Sequence, residues 1–142
     1  MAGGFITLAT MSEPDRLLAP VREYLREPRC AVLSSIGIDG APHQAVVHYL
    51  LEAGGLLVNG RPDRRWAANL RRDPRASVVI HDADRPLHWV GIKGSAQPVR
   101  DGQAAVDDAM TMARRYAEDP ADYEDQERVS FLIRPHGVFE YG

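Results

Sequence analysis

The apolar positions near the start of the chain repeat at helical spacing. A Ser-x-Pro-Asp start signal begins at Ser12, and Pro28 is a stop signal. The apolar stripe between these two signals consists of Leu17, Leu18, Val21, Tyr24 and Leu25. We therefore predict a first helix here, preceded by a loose tail over residues 1–11.

The pattern then changes to that of an antiparallel meander. Apolar and β-branched residues run from Cys30 to Ile38 and again from His43 to Leu51. Asp39-Gly40 separates the two runs and is the strongest short hairpin signal. A turn at Gly54-Gly55 leads to a third strand over Leu56 to Asn59. These connections are too short for a crossover helix, which disfavours a parallel α/β sheet.

Helical spacing returns in the segment GRPDRRWAANLRRDPR. Pro62 suits the first turn of a helix, because its missing N–H needs no partner there. Trp66, Ala67 and Leu70 form an apolar stripe, and Pro74 ends the helix because it forces the residue before it out of the α region. We predict a second helix that begins at about Pro62.

Two strands and a third helix are predicted next. The strands cover Ala76 to His81 and Leu87 to Val99, and the longer one is expected to bend or bulge at Gly91 or Gly94. The helix covers residues 101–118, where acidic residues near the start and arginines near the end match the helix dipole.

The last segment is predicted to complete a sheet. An acidic loop or short helical turn over Asp119 to Gln126 precedes strand material over Val129 to Ile133 and Val138 to Tyr141. Pro135-His136-Gly137 is expected to break this strand. The whole pattern predicts a mainly β (α+β) fold, a six-stranded antiparallel β-barrel with peripheral helices, as a single domain over residues 1–142.

Length and composition narrow the class of protein. A chain of 142 residues fits one domain, and its single cysteine, Cys30, allows neither an intrachain disulfide nor a thiolate zinc site. No apolar run reaches the ~18 residues of a membrane helix, and the first residues lack the basic region of a secretory signal. We therefore expect a soluble, cytoplasmic protein with no membrane partner.

The charge is unevenly distributed. The chain has a net charge of −3, but residues 61–75 carry +4 and the remainder carries −7. A nucleic-acid-binding protein spreads positive charge over a whole face, so a nucleic-acid partner is not expected. One short basic segment on an acidic body fits a small anion such as a phosphate group, and a solvated helix face rich in arginine is the alternative that charge alone leaves open.

Motifs for several kinds of chemistry are missing from the sequence. Neither a P-loop nor a G-x-G-x-x-G loop occurs, and Ser34 and Ser35 lie within a predicted strand without a nucleophile elbow. His43 and His48 lie on one strand at a spacing that points them to opposite faces, and the other histidines show no metal-ligand spacing. No metal site, nucleophile or acid–base pair is therefore predicted.

A candidate anion site remains where the third strand leads into the second helix. Arg61, Arg64 and Arg65 surround the predicted first turn of that helix, whose free N–H groups and partial positive charge attract anions. Guanidinium groups add paired hydrogen bonds to phosphate. Lys93 is the only lysine and Trp89 lies on a strand; each either contacts a ligand or has an ordinary surface or core position.

The order of these elements resembles that of a known family. The segments GRPDRRWAANLRRDPRASVVI and HWVGIKGSA, after a strand–DG–strand–strand meander, resemble the pyridoxamine-phosphate-oxidase-like, flavin-binding split β-barrel proteins. The NLRRDPR run looks most like the branch that uses the deazaflavin F420. The likeness covers residues 29–99 well and VSFLIRPHGVFEYG more loosely.

The resemblance implies a function as well as a fold. It implies a homodimer with cofactor sites at the interface, F420 as the cofactor with FMN as the alternative, and hydride transfer to an unsaturated organic small molecule. Such chemistry belongs to the cofactor, which fits a sequence without a recognisable nucleophile. A non-catalytic carrier of flavin, F420 or haem is the second reading. The substrate-phosphate arm of true pyridoxamine-phosphate oxidases is not evident, so that activity is not expected.

The resemblance also implies the positions of the cofactor contacts. The stretch from His43 to His48 would follow the cofactor ring, Asn59 to Arg61 would cover its chain, and Arg64 and Arg65 would hold its phosphate. Trp89 and its neighbour His88 would reach the cofactor of the other subunit, and Trp66 stands where relatives commonly carry a basic residue. The implied cofactor-binding set is His43, Gln44, Ala45, Val46, His48, Asn59, Gly60, Arg61, Arg64, Arg65, Trp66, Asn69, Trp89 and Lys93.

Overall fold

The computed structural model of the chain describes residues 7–10 and 17–141. Within these ranges lie eight strands, three α-helices and one 3-10 helix. In chain order they are β1 (Thr7–Thr10), α1 (Ala19–Leu25), β2 (Ala31–Ile36), β3 (Pro42–Val47), β4 (Leu50–Glu52), β5 (Gly55–Gly60), α2 (Arg65–Arg72), β6 (Arg75–His81), β7 (Trp89–Asp101), α3 (Gly102–Arg115), the 3-10 helix Pro120–Tyr123 and β8 (Val129–Tyr141).

The strands form one antiparallel sheet in the order β3-β2-β6-β7-β8-β5-β4, and β1 pairs with β8. Leu33 of β2, Val58 of β5 and Phe131 of β8 are fully buried in a single hydrophobic cluster. Strands far apart in the sheet order thus share one interior, so the sheet curls into a barrel. Among the described residues, the end strands β3 and β4 do not pair with each other, and the barrel is split there.

Strand β5 is buried along its whole length. Leu56 and Val58 belong to the barrel interior, whereas Leu57 and Asn59 point the other way and are also buried. Helix α3 covers this outer face, and its Ala105 carbonyl accepts a hydrogen bond from Asn59. Burial on both faces explains the uninterrupted apolar run in the sequence of β5.

The mainly β fold with peripheral helices is confirmed, and the strand count is corrected from six to eight. Thr7–Thr10 pairs with β8 and is not part of a loose tail. The predicted strand from His43 to Leu51 is two strands, because Tyr49 turns inward, is fully buried and donates hydrogen bonds to the Leu25 and Glu27 carbonyls.

Strand β8 is also longer than predicted. It continues through Pro135-His136-Gly137 because the register shifts beside Gly94 and leaves His136 as the extra residue of a bulge. The bulge tolerates the proline, which cannot donate to the ladder. Gly94 permits the close approach, since a Cβ there would overlap the Arg134 carbonyl oxygen. The bulge expected at this glycine is present, but its extra residue lies on the partner strand.

The helices differ from prediction at their ends: α2 starts later than predicted, and α3 covers Gly102–Arg115 instead of residues 101–118, because the backbone turns at Ala117, which has φ +58°. The signal at Ser12 lies outside the described residues, and the described first helix is Ala19–Leu25. Helix α2 begins at Arg65, because residues 61–64 form a turn in which the Arg64 N–H donates to the Arg61 carbonyl at 3.1 Å. No helix in the described ranges is long and apolar enough to cross a membrane.

Candidate functional site

A cavity of about 720 Å³ lies between β3, the β5–α2 junction, α3 and the loop that follows α3. It is the larger of the two principal cavities in the described part of the chain. Most of the residues that are predicted to contact a cofactor line this cavity. These are His43, Ala45, Val46, His48, Asn59, Gly60, Arg61, Arg64, Arg65 and Trp66.

The junction between β5 and α2 is held by a contact between Gly60 and Trp66. A Cβ on Gly60 would overlap the Trp66 ring, so this close packing requires glycine. Trp66 is only 6% exposed and packs edge-to-face on Phe131, with ring centroids 6.0 Å apart. The indole therefore anchors the turn of residues 60–65, which we call the arginine turn.

The arginine turn presents three exposed guanidinium side chains to the cavity, those of Arg61, Arg64 and Arg65. Arg61 Nη2 lies 3.4 Å from Asp63 Oδ2, and both groups are largely exposed, so this ion pair contributes little to stability. Helix α2 starts without a side-chain cap at Arg64. Uncapped N–H groups and three cations at one place favour an anion.

Arg128 is a fourth cation at this end of the cavity, and it is not among the site residues predicted from the sequence. Its Nε donates to Asn59 Oδ1 at 2.8 Å, and its Nη1 donates to Gln126 Oε1 at 2.7 Å. Burial lowers the pKa of Arg128, and the like charges of Arg64 and Arg61 act in the same direction. An anion placed among these guanidinium groups would relieve their repulsion.

One feature of the sequence points to Arg128, which directly precedes the last predicted strand. The pairing of Gly60 with Val129 in the folded sheet then places Arg128 beside Arg61. Neither strand register nor the partner of β5 can be derived from the sequence pattern, because β5 and β8 are far apart in the chain. Long-range pairing is therefore the missing information.

Asn59 orients Arg128 and is itself held by α3. Its Nδ2 donates to the Ala105 carbonyl at 2.8 Å and to Ser130 Oγ at 2.9 Å. The Ser130 hydroxyl donates in turn to Asp108 Oδ2 at 2.7 Å. With both amide hydrogens occupied, the Asn59 oxygen faces Arg128, so the guanidinium has a fixed direction.

Another part of the cavity wall holds a histidine–carboxylate pair. His48 Nδ1 lies 3.5 Å from Glu118 Oε1, and the His48 ring stacks on Tyr116 with centroids 3.7 Å apart. The Tyr123 hydroxyl donates to the same Glu118 oxygen at 3.2 Å. Burial, followed by the charge of Glu118, raises the pKa of Tyr123. No group of three or more potential metal ligands occurs in the described ranges.

Four residues of the predicted set lie away from the cavity lining. Gln44 Nε2 is 3.5 Å from Ser34 Oγ, and the buried Asn69 donates to Ser35 Oγ at 3.0 Å. Trp89 is half-buried at the start of β7, and the exposed Lys93 places its Nζ 5.1 Å from the Phe139 ring centroid. The cofactor contacts of all four residues stay predictions. That of Trp89 is predicted with the cofactor of the other subunit.

The fold and the sequence match known proteins. The sequence model of pyridoxamine 5'-phosphate oxidase, a family that generally binds flavins such as FMN, matches residues 17–142. An F420 reductase is 23% identical, with a TM-score of 0.70 over 82% of this chain and 94% of that one.

Two further solved structures are similar. A conserved hypothetical protein from Mycobacterium tuberculosis is 25% identical, with a TM-score of 0.73 over 92% of this chain and 85% of that one. The haem storage protein HutZ from Vibrio cholerae is 21% identical, with a TM-score of 0.70 over 89% of this chain and 95% of that one. With the family match over most of its length, the chain belongs to the pyridoxamine 5'-phosphate oxidase family and has its split β-barrel fold.

Proposed function

We propose that this protein is a cytoplasmic, homodimeric oxidoreductase that transfers a hydride from reduced F420 to an unsaturated organic small molecule, with FMN as the alternative cofactor. The observation that carries the proposal is the set of four arginines around one cavity in a member of this family. They are Arg61, Arg64, Arg65 and Arg128.

The lining residues fit a phosphate-bearing flavin or deazaflavin. The lining contains four arginines and one acid, Glu118, so an anionic group is favoured near the arginine turn. Much of the remaining wall is apolar and suits a flat ring. Besides Trp66, the apolar lining residues are Ala45, Val46, Val47, Ala109, Met112 and Ala113.

The chemistry would be divided between the cofactor and the protein. A bound flavin or deazaflavin supplies the hydride. The arginines bind the charged end, Asn59 keeps Arg128 directed at it, and α3 excludes water from one side of the cavity. The protein thus contributes binding and orientation, which requires no nucleophile.

The homodimer is supported by the surface next to the cavity. Val46 is 71% exposed near the end of β3, although it lies in a strand and lines the cavity. Strand β3 is also an end strand of the sheet. A second copy of the chain packed here would cover the apolar side chain and the open side of the site.

A non-catalytic carrier is the second candidate function. The similarity to a haem storage protein and the presence of His43 and His48 in the cavity lining favour this reading, because imidazole is a common haem ligand. Haem added to the purified protein would then give a shifted Soret band that is lost in His43→Ala or His48→Ala.

Binding and turnover measured on the same preparation test the proposal. A yellow purified protein with flavin absorbance would favour FMN, and a colourless protein whose tryptophan fluorescence is quenched by F420 would favour the deazaflavin. Oxidation of the reduced cofactor is then followed with a panel of enones, quinones and biliverdin. Turnover supports the oxidoreductase, binding without turnover supports the carrier, and binding of neither cofactor contradicts the proposal.

A further inference from the structure

We propose that His48, paired with Glu118, is the proton donor of the reduction. This inference rests on the proposed oxidoreductase function. Addition of hydrogen across a polarised double bond needs a proton as well as a hydride, and the arginines that bind the charged end are too basic to supply it. A histidine on the cavity wall can donate the proton that the reduction requires.

Three contacts fix the position of this pair. The His48 ring is nearly parallel to that of Tyr116, at an interplanar angle of 3°. Nδ1 faces Glu118 Oε1 at 3.5 Å, and the Tyr123 hydroxyl holds the same carboxylate oxygen. With Nδ1 turned to Glu118, Nε2 is the nitrogen that can reach a bound molecule. The carboxylate compensates the positive charge of the protonated ring.

The backbone around Glu118 is strained in a way that serves this pairing. Ala117 adopts φ +58°, the left-handed conformation that normally falls to glycine at the end of a helix. The Glu118 N–H then donates to the Ala113 carbonyl at 2.8 Å, which turns the chain back at the end of α3. Strain of this kind at a non-glycine residue is frequent at functional sites. Here it brings Glu118 to His48.

Tyr123 lies between the pair and the nearest cation, because Arg128 packs on the Tyr123 ring, with its guanidinium carbon 5.0 Å from the centroid, while the Tyr123 hydroxyl donates to Glu118. The Asn59 amide that directs Arg128 meets α3 at Ala105, in the first turn of that helix, and Tyr116 caps its other end. At 1.5 Å per residue these points are roughly 16 Å apart along the helix axis. A ligand whose anionic end lies among the arginines therefore has His48 on the wall of the same cavity, beyond Tyr123 and Glu118.

The step balances with groups already named. When bound, the reduced cofactor would supply the hydride with its two electrons to one carbon of the substrate C=C bond, and His48 Nε2 would give the proton to the other carbon. The π bond would be replaced by two C–H bonds, which balances the reaction. The imidazole is left neutral and regains a proton from solvent beside Glu118.

The test separates binding from turnover in four variants. They are His48→Asn, His48→Ala, Glu118→Gln and the control His136→Asn, which changes an exposed histidine in the β8 bulge. We expect His48→Asn to bind F420 or FMN within about twofold of wild type while kcat falls at least 100-fold, the lower end of what a general acid contributes. Imidazole added to the buffer should restore turnover of His48→Ala, Glu118→Gln should lose about tenfold in kcat, and His136→Asn should match wild type.

Other outcomes would contradict the proton-donor proposal, the oxidoreductase proposal or both. Wild-type turnover in His48→Asn would overturn the proton-donor proposal and leave the oxidoreductase function standing. Loss of cofactor binding in His48→Asn, or failure of imidazole to restore His48→Ala, would make His48 a binding or structural residue. A wild-type protein that binds cofactor but reduces no substrate would contradict both proposals at once. Thermal unfolding of each variant shows whether it is folded, and His48→Gln replaces a variant that is not.

Discussion

A half-buried guanidinium differs from an exposed one in how it can bind an anion. Arg128 is held by Asn59 and Gln126 and has already lost part of its hydration, whereas Arg64 and Arg65 are exposed. A fixed donor loses less conformational entropy on binding than a mobile one. We therefore expect Arg128 to matter more per residue than the arginines that the sequence made conspicuous.

Replacement of Arg128 by Gln should weaken cofactor binding at least about 30-fold, which is more than the share of either Arg64 or Arg65. The change removes a directed charge while it keeps an amide that can contact Asn59. Tryptophan fluorescence titration with F420 and FMN measures the effect, and Arg114→Gln, a change of an exposed arginine at the end of α3, is the control. Equal affinity in both variants would remove Arg128 from the site.

The double change Arg64→Ala with Arg65→Ala should weaken cofactor binding by about 2–4 kcal/mol, because each charge-assisted hydrogen bond contributes roughly 1.5–3 kcal/mol and exposed groups contribute at the low end. The same titration measures it. A double variant of two exposed arginines outside the cavity, Arg85→Ala with Arg114→Ala, controls for the change in net charge. Unchanged affinity would contradict the phosphate assignment.

We predict from the raised pKa of Tyr49 that the protein loses stability at alkaline pH. Burial raises its pKa to about 12 from an ordinary value of 10. The folded state keeps the proton that the unfolded state releases, so the contribution of Tyr49 is complete below pH 10 and is lost as the pH rises toward 12. Urea unfolding of wild type and Tyr49→Phe from pH 8 to 11 should show a smaller decline in the variant. Parallel declines would contradict the assignment.

At the scale of elements, the strand and helix types followed from local pattern and their ends followed from tertiary contacts. Helix α2 starts three residues after Pro62 because the arginine turn packs through Gly60 on Trp66. Strand β8 continues past Pro135 because the bulge accommodates it. The sequence predicts the hairpin at Asp39-Gly40, where Gly40 has φ +83°, since that signal is entirely local.

Gly60→Ala should destabilise the fold by about 1–3 kcal/mol, because the added methyl group overlaps the buried Trp66 ring. Chemical denaturation measures the loss in the free energy of unfolding. In a Trp66→Leu background the same substitution should cost much less, since the obstructing ring is gone. An equal cost in both backgrounds would show that the Gly60–Trp66 contact is not the cause.

At the scale of the whole molecule, the candidate site combines segments that are distant in sequence. The arginine turn was recognisable from composition, because its cations and its helix start are adjacent in the chain. Arg128 and the His48–Glu118 pair were not recognisable in this way, because only the folded sheet and the end of α3 bring them to the same cavity. Any residue supplied by a second subunit is equally beyond the reach of sequence periodicity.

Val46→Asp should convert the proposed dimer to a monomer, because a charge would replace an apolar side chain in the covered surface. Light scattering after size-exclusion chromatography measures the mass, and Ile38→Asp, an exposed position in the β2–β3 hairpin, is the control. A dimer that persists in the Val46 variant, or a monomeric wild type, would argue against this surface as the interface.

The burial of β5 on both faces limits where substitutions can alter the ligand specificity of this protein. The middle of the strand touches the barrel interior on one side and α3 on the other, so nearly every side chain there is constrained by packing. Its amide hydrogens should exchange with solvent only when the whole domain opens. New specificity can therefore arise in the exposed side chains of the arginine turn and of the loop that follows α3, while the packing of β5 that supports them is unchanged.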